Sequence, residues 1–202
     1  MNRRAMPRPR FRLMFIPLAL LVVGCSADQP GARPPLEGAT IGGEFTLVDK
    51  AGKPVRYSDF AGQYRVVYFG FTFCPDVCPL DVQKMMQGYA LFAKAEPDVA
   101  KQVQPIFVTI DPERDTPAVV GEFAAAFSPR LLGLTGSEEQ IAAAARAFKV
   151  YRARGPDSPG GGYLMDHSNI AYLMDRDGKP LAMLPHDKGP QAVADELAKW
   201  TS

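Results

Sequence analysis

The sequence predicts an α/β domain whose mixed β-sheet is covered by helices on both faces. Residues 64–72 and 103–110 contain continuous runs of β-branched and aromatic side chains, which are typical of strands buried on both faces. A pattern of helical period follows each run, and another ends the chain. An Asp-Gly pair at 177–178 predicts an antiparallel hairpin. Strands that alternate with helices and then form a hairpin predict a sheet with both parallel and antiparallel pairs.

The first half of this domain carries strand and helix signals in turn. Residues 45–48 have the composition of a short strand, turned at 50–53. After the central strand at 64–72, Pro79 suits the first position of a helix, where its missing N–H has no intrahelical partner to lose. Apolar residues then recur at helical spacing, namely Val82, Met85, Met86, Tyr89 and Phe92.

Two later helices carry capping signals. Thr116 followed by Pro117 predicts an N-cap and the first helical position. The apolar face of that helix consists of Val119, Val120, Phe123 and Phe127. Ser137 and Gln140 form a capping-box pattern ahead of an alanine-rich helix that ends near Phe148. The other predicted elements, in chain order, are an extended segment at 131–134, a strand at 150–153, a glycine-rich loop at 155–162, strands at 170–174 and 181–184, and a helix at 191–200.

The overall composition excludes several classes of protein. The chain of 202 residues is 47% hydrophobic, which excludes a disordered protein, and its three cysteines are too few for a disulfide-dense scaffold. The formal net charge of +1 offers no basic field, so we expect no nucleic-acid partner. This average conceals five arginines and no acidic residue in the first 24 positions, so that the remainder carries 18 basic against 22 acidic residues.

The amino-terminal segment has the pattern of an export signal. A basic stretch at 1–12 precedes an apolar stretch at 13–23, which is shorter than the ~20 residues that span a bilayer. We therefore predict a signal peptide at 1–24, with an uncleaved anchor helix as the alternative. Residues 25–40 are rich in proline, glycine and small side chains, which predicts a flexible tether ahead of a folded domain at 41–202.

Val22-Val23-Gly24-Cys25 resembles the lipobox of bacterial lipoproteins. The resemblance implies that Cys25 carries a lipid after cleavage, which would hold the domain on the periplasmic side of a bacterial membrane. Several acyl chains give stable anchoring because each buried methylene contributes about 0.8 kcal/mol. The alternative is that Cys25 is merely a small apolar residue at the end of the signal.

Cys74 and Cys78, in the segment Cys-Pro-Asp-Val-Cys-Pro, lie where the central strand ends and a helix begins. The N–H groups and positive dipole of a helix N-terminus stabilise thiolates, so we expect lowered pKa values for both thiols. Thiolate is the form that attacks disulfides and binds metal ions. The placement of this pair therefore suits either redox chemistry or metal binding.

Four interpretations of this pair remain open from the residues alone. A structural disulfide would close so short a loop that it would stabilise the fold little. A redox-active pair is similar to that of thioredoxin, although the spacing is three residues here rather than two. A closed zinc site needs four ligands, and there is no second cysteine pair. Two thiolates with one imidazole suit Cu(I) and can also hold Cu(II).

The chain contains only two histidines that could complete a copper site. His167 follows the glycine-rich loop and precedes the strand at 170–174, so we expect it near the thiols. His186 follows the last strand, and we expect it to be an ordinary surface or core residue.

Three blocks in the chain resemble the Sco/SenC family: residues 74–79, residues 109–117, and residues 166–168 with 172–175. The resemblance runs from about Phe45 to Trp200 and implies a thioredoxin-like fold on a membrane tether. It implies that Cys74, Cys78 and His167 are copper ligands.

The same resemblance implies a metallochaperone rather than an enzyme. Its partner would be the copper-receiving subunit of cytochrome c oxidase, whose dinuclear copper centre takes up the metal during assembly. The alternative is a periplasmic thiol–disulfide oxidoreductase that keeps the cysteines of that subunit reduced. Other periplasmic copper chaperones or thioredoxin-like reductases are further expected partners. A copper-responsive redox sensor is a third interpretation.

Several neighbouring residues are expected to support the site. Asp111 and Asp115 would orient His167 or screen the copper, although Asp115 would equally suit the turn before Thr116. Asp76 would limit access or lie in a solvated turn. Phe71 and Phe73 are expected to form walls that keep the site partly dry, and Met85, Met86 and Met165 are expected to fill the core.

Overall fold

The computed structural model of the chain describes residues 32–75, 77–157 and 161–201. The strands are β1 (Thr46–Val48), β2 (Pro54–Arg56), β3 (Tyr64–Gly70), β4 (Val103–Thr109), β5 (Leu132–Leu134), β6 (Arg152–Asp157), β7 (Tyr163–His167), β8 (Ala171–Met174) and β9 (Pro180–Met183). The helices are α1 (Val77–Ala95), α2 (Pro97–Ala100), α3 (Pro117–Phe127), α4 (Glu138–Ala147) and α5 (Pro190–Trp200). Short 3-10 helices lie at Tyr57–Phe60 and His186–Lys188.

Five strands form the central sheet in the order β5-β4-β3-β8-β9. β3 pairs in parallel with β4, and β4 in parallel with β5. β8 pairs antiparallel with both β3 and β9. The mixed sheet predicted from the element order is therefore confirmed. Two antiparallel hairpins, β1–β2 and β6–β7, lie outside it.

Hydrophobic side chains pack on both faces of the central sheet. In β3, Val66 and Tyr68 join one core cluster and Val67 and Phe69 the other, because successive strand residues point to opposite faces. The first cluster includes residues of α1, α3 and α5, and the second includes residues of α4, β1 and β7. This two-sided burial explains the continuous apolar run of β3 and confirms helices on both faces.

The predicted N-terminal caps are present at two helices. Thr116 is the N-cap of α3, and its side chain accepts a hydrogen bond from the N–H of Val119. Ser137 and Gln140 form the predicted capping box at the start of α4. These short-range motifs are specified by neighbouring residues, so the sequence identifies them without knowledge of the tertiary fold.

The structure differs from the prediction in several segments. β2, α2 and both 3-10 helices were not predicted, and α1 begins at Val77 rather than at Pro79. Most of the predicted glycine-rich loop at 155–162 belongs to the β6–β7 hairpin, apart from residues 158–160, which lie outside the described residues. The strand predicted at 150–153 is β6, which instead spans Arg152–Asp157. β6 has no buried residue, so its sequence carries no alternating pattern that would predict where it ends.

The amino-terminal predictions fall largely outside the described residues. This applies to the signal peptide at 1–24 and to Cys25, and Asp76 is also not described. Within the predicted tether, Leu36 packs against the core, and its N–H donates to the carbonyl of Leu181 at 3.0 Å. Among the described residues, no helix combines the length and the hydropathy that a membrane span requires.

Candidate functional site

Cys74 and Cys78 are free thiols at the junction between β3 and α1. Cys74 lies in the connecting loop and is half-buried, whereas Cys78 lies in the first turn of α1 and is fully buried. The N–H of Cys78 donates to Sγ of Cys74 at 3.4 Å. The start of the helix therefore supplies a backbone donor to the more accessible sulfur, as expected for a helix N-terminus.

His167 ends β7 and reaches the buried thiol. Its Nε2 lies 3.2 Å from Sγ of Cys78, across 89 residues of sequence. Its Nδ1 lies 2.9 Å from the carbonyl oxygen of Ser168. Because a carbonyl only accepts, Nδ1 carries the hydrogen and the lone pair of Nε2 faces Cys78. Burial also lowers the pKa of His167, which favours this neutral form.

The electrostatics of Cys78 differ from the sequence-based expectation. The pKa of the Cys78 thiol is raised to about 12. Burial is the largest cause, a hydrogen bond with the backbone of Phe71 opposes it, and the neighbouring Cys74 side chain adds to the rise. The prediction of a lowered pKa is wrong for this thiol because loss of hydration outweighs the helix terminus. The proton must therefore be displaced, either by a bound metal ion or by a reacting partner.

The donor set suits a soft metal ion, although the side chains are not yet arranged around one. Within the described residues, no group of three or more His, Cys, Asp or Glu side chains stands ready to hold a metal ion. By analogy with zinc, metal bonds of about 2.3 Å to sulfur and 2.0 Å to nitrogen would place those atoms roughly 3.5 Å apart. The contact between Cys78 and His167 is 3.2 Å, so a slight separation would admit an ion.

A cavity of about 340 Å³ opens onto these residues. It is lined by Phe71, Cys74, Pro75, Val77, Leu164, Met165, Asp166, His167 and Asn169. Phe71 is buried and stands edge-on to the His167 ring, as expected for a wall of the site. Phe73 is exposed and is not among the lining residues. Met165 is buried in the core cluster, in agreement with its predicted role as core filler.

Asp115 fastens the loop that leads to Cys74. The buried carboxylate accepts hydrogen bonds from the Thr72 N–H at 3.0 Å and from the hydroxyls of Thr72 and Thr109 at 2.5 Å each. Among the described residues, the hydrogen-bond partners of His167 are Cys78 and Ser168 rather than Asp115. Asp115 therefore does not orient His167 directly, but joins the end of β3 to the end of β4.

Asp111 acts on the opposite end of β7. Its carboxylate accepts from the Tyr163 hydroxyl at 2.8 Å and from Nε of Arg114 at 2.6 Å. The Arg114 guanidinium lies 3.7 Å from the centre of the Tyr163 ring and donates to the Tyr163 carbonyl at 2.8 Å. Asp111 thus holds the start of the strand that ends at His167. Neither Arg114 nor Tyr163 was predicted to support the site, because no local signal in the sequence pairs residues that are 49 apart.

Gly70, the last residue of β3, allows the backbone to pass close to the site. A Cβ atom at this position would lie 2.9 Å from the Tyr68 ring, 3.1 Å from the Phe107 ring and 3.3 Å from Sγ of Cys78. This glycine was not predicted to matter, because the crowding around it depends on how the rings of Tyr68 and Phe107 and Sγ of Cys78 pack in the folded protein.

We expect Gly70→Ala to destabilise the protein by about 1–3 kcal/mol, because the added methyl group overpacks this region. The same crowding should displace Cys78 and increase the rate at which its thiol reacts with a small alkylating reagent. Urea denaturation and timed alkylation would measure the two effects. Unchanged stability together with an unchanged alkylation rate would contradict the prediction.

Comparison with known proteins agrees with the three sequence blocks. The SCO1/SenC family model matches residues 33–202. The mitochondrial SCO2 homolog of Mus musculus is 46% identical over 144 residues, which cover 71% of this chain but only 56% of that protein. The SCO2-like protein of Rickettsia felis is 38% identical over 162 residues, which cover 80% of this chain and 77% of that protein.

A solved structure agrees in fold as well. The structure of Bradyrhizobium japonicum ScoI with copper bound has a TM-score of 0.71 and 36% identity, and the match covers 79% of this chain and 99% of that one. The thioredoxin-like fold expected from the sequence is therefore confirmed. From the extent of the family match and of these similarities, the chain belongs to the SCO1/SenC family.

Proposed function

We propose that this protein binds one copper ion through Cys74, Cys78 and His167 and delivers it to the copper-receiving subunit of cytochrome c oxidase during assembly. The observation that carries the proposal is the 3.2 Å contact between Cys78 and His167 beside the second thiol. Two sulfurs and one imidazole form a donor set suited to Cu(I) that can also hold Cu(II). The copper bound to the similar ScoI protein supports this assignment.

Ligand exchange is the mechanism that this geometry favours. Cys74 is the accessible sulfur, so ligands of the partner replace it first, while Cys78 and His167 still hold the ion. Cys78 regains its proton as the ion leaves, because burial favours the neutral thiol. No electron changes hands in this exchange, and the ion is held by ligands throughout.

The protein would work on the periplasmic side of a bacterial membrane, held there by a lipid on Cys25. The support for this placement is the resemblance of residues 22–25 to a lipobox and the basic and apolar stretches before them.

The cavity has an apolar rim formed by Val77 and Leu164. Both side chains are exposed, and both line the cavity beside Cys74. Exposed apolar side chains grouped around a functional group are typical of a protein interaction site. The copper-receiving subunit would cover this rim while its ligands reach Cys74.

We expect Leu164→Asp to slow copper transfer about tenfold, because it places an unpaired charge in the contact with the partner. Copper binding itself should not change, since Leu164 supplies no ligand. Transfer is measured by mixing copper-loaded protein with the copper-free receiving domain. The matched control is Leu91→Asp, which alters a residue that is 43% exposed against 52% for Leu164. Leu91 lies about 20 Å along α1 from Val77, the α1 residue of the rim. Equal transfer rates for the two variants would exclude the rim as the contact surface.

The proposed function is tested in a strain that lacks this protein. We expect its membranes to have low oxidase activity and low copper content in the oxidase, restored by the wild-type gene but not by a His167→Ala gene. Added copper should restore part of the activity, because it bypasses delivery. Normal oxidase activity in the deletion strain would refute the proposal.

A thiol–disulfide oxidoreductase is the second candidate, and the unequal exposure of the two thiols favours it. The half-buried Cys74 would attack a partner disulfide to form a mixed disulfide, and the buried Cys78 would then attack Sγ of Cys74. The partner leaves with two reduced thiols, and this protein retains the disulfide, which a periplasmic thioredoxin-like reductase must reduce. Turnover that needs both cysteines but not His167 would favour this candidate.

A further inference from the structure

A polar cluster of Tyr68, Asp81, Asn169 and His186 lies behind the contact between Cys78 and His167. The Tyr68 hydroxyl is 3.2 Å from Oδ1 of Asn169 and 3.3 Å from Oδ2 of Asp81. Nε2 of His186 is 3.0 Å from the same Asn169 oxygen and 3.7 Å from Asp81. The four residues come from β3, α1, the connection before β8 and the 3-10 helix before α5.

Three members of this cluster are buried. Tyr68 is fully buried, and Asp81 and His186 are only 6% and 5% exposed, while Asn169 closes the cluster at the surface. Buried polar groups are costly unless they are hydrogen-bonded, and apolar residues could fill the same space at less cost. His186 is thus a core residue, which is one of the two roles expected from the sequence. Its place in a polar cluster was not predicted.

The cluster is connected to the metal-ligand candidates in two ways. The Tyr68 ring stands edge-on to both imidazoles, with centroid distances of 6.5 Å to His167 and 5.9 Å to His186. Asn169 lies two residues after His167, so its contacts fix the end of the segment that carries His167.

Ser168, which lies between His167 and Asn169, is held by contacts of its own. The N–H of Ser168 donates to the Tyr151 carbonyl at 3.1 Å, and its hydroxyl accepts from the Tyr151 N–H at 3.0 Å. Its own carbonyl accepts from Nδ1 of His167. The backbone after His167 is therefore fastened by Tyr151 on one side and by the polar cluster on the other.

We propose that Asn169 and His186 are positioning residues that hold the His167 ring against Cys78 and thereby slow the release of copper. This inference rests on the proposed function. Groups that orient a metal-binding histidine change metal affinity by about 10- to 100-fold when removed. His186 orients His167 indirectly, through the Asn169 side chain and the Tyr68 ring.

The test compares four variants with the wild type. His186→Phe keeps a ring but removes the contact with Asn169, and His186→Gln restores a polar group at the same position. Thr201→Val is the matched control, because it removes a buried hydrogen bond to the Leu197 carbonyl at the end of α5. Asn169→Leu tests the same link at an exposed position, where a failure to fold is not expected.

Two readouts separate positioning from simple stability. One is the rate of copper loss to a chelator, and the other is the order parameter of the His167 ring in copper-free protein. The chain has only two histidines, so ¹³C-histidine spectra resolve His167 and contain its signal alone in the His186 variants. We expect His186→Phe and Asn169→Leu to lower the order parameter and to speed copper loss about 10- to 100-fold. His186→Gln should recover most of both, and Thr201→Val should change neither.

The outcomes keep the two proposals apart. An unchanged order parameter in His186→Phe and Asn169→Leu would overturn the positioning role, whether or not copper binds. A wild-type protein that takes up no copper would overturn the proposed function, while the order parameter would still decide the role of the cluster.

Discussion

Replacing His167 with alanine is expected to abolish stable copper binding. The affinity should fall by more than about 100-fold, since the loss of a ligand exceeds the effect of removing a group that merely orients one. Titration of Cu(II) into the reduced wild-type protein should produce absorption from thiolate-to-copper charge transfer, and the variant should lose it. Competition with a chelator for Cu(I) measures the loss of affinity directly.

The structure gives the reason that His167 should matter so much. Its Nε2 lone pair is aimed at Cys78 because the Ser168 carbonyl holds the hydrogen on Nδ1. Burial lowers the pKa of His167, so the ring is neutral and able to bind metal at pH 7. The matched control is Met165→Leu, a change of similar volume beside the same cavity, which should leave copper binding intact. Full charge-transfer absorption in His167→Ala would refute the ligand assignment.

The sequence predicted the elements whose signals are local or strongly periodic. β3 and β4 were recognisable because both of their faces are buried, and the caps of α3 and α4 depend on residues three apart. Cys74 and Cys78 were evident as a pair because only three residues separate them. Each of these features is specified within one short segment of chain.

The remaining features depend on contacts between distant residues. His167 reaches Cys78 by way of the β6–β7 hairpin, in which β6 has no buried residue and carries no apolar pattern. The order of the elements predicted that His167 lies near the thiols, but only the family resemblance indicated that His167 and the two cysteines form one ligand set. The raised pKa of Cys78 follows from burial, which the motif around it does not reveal. The hydrogen bond between Tyr163 and Asp111 was also not predictable, because the two residues are 52 positions apart.

Asp115→Ala should destabilise the protein by about 3 kcal/mol or more. The change leaves three donors without their acceptor, namely the buried hydroxyl of Thr109 and the half-buried N–H and hydroxyl of Thr72. Each lost partner costs about 1–3 kcal/mol, the buried one the most. Asp115→Asn should cost much less, because an amide oxygen in the place of Oδ2 still accepts from the Thr72 N–H and the Thr109 hydroxyl, while the amide nitrogen in the place of Oδ1 donates to the Thr72 hydroxyl. Urea denaturation at pH 7 compares the three proteins.

The pH dependence of these stabilities tests whether burial governs Asp115. Burial raises the pKa of its carboxyl above the usual value, against the opposing effect of the hydrogen bonds from Thr109 and Thr72. The folded protein therefore binds this proton more tightly than the unfolded chain, and ionisation of Asp115 disfavours folding. As the pH rises from about 3.5 through the raised pKa, the wild type should lose stability relative to Asp115→Asn, in which all other groups titrate alike. A difference that changes in the opposite direction would mean that the hydrogen bonds from Thr72 and Thr109 outweigh burial, and that the ionised carboxylate itself stabilises the loop that carries Cys74.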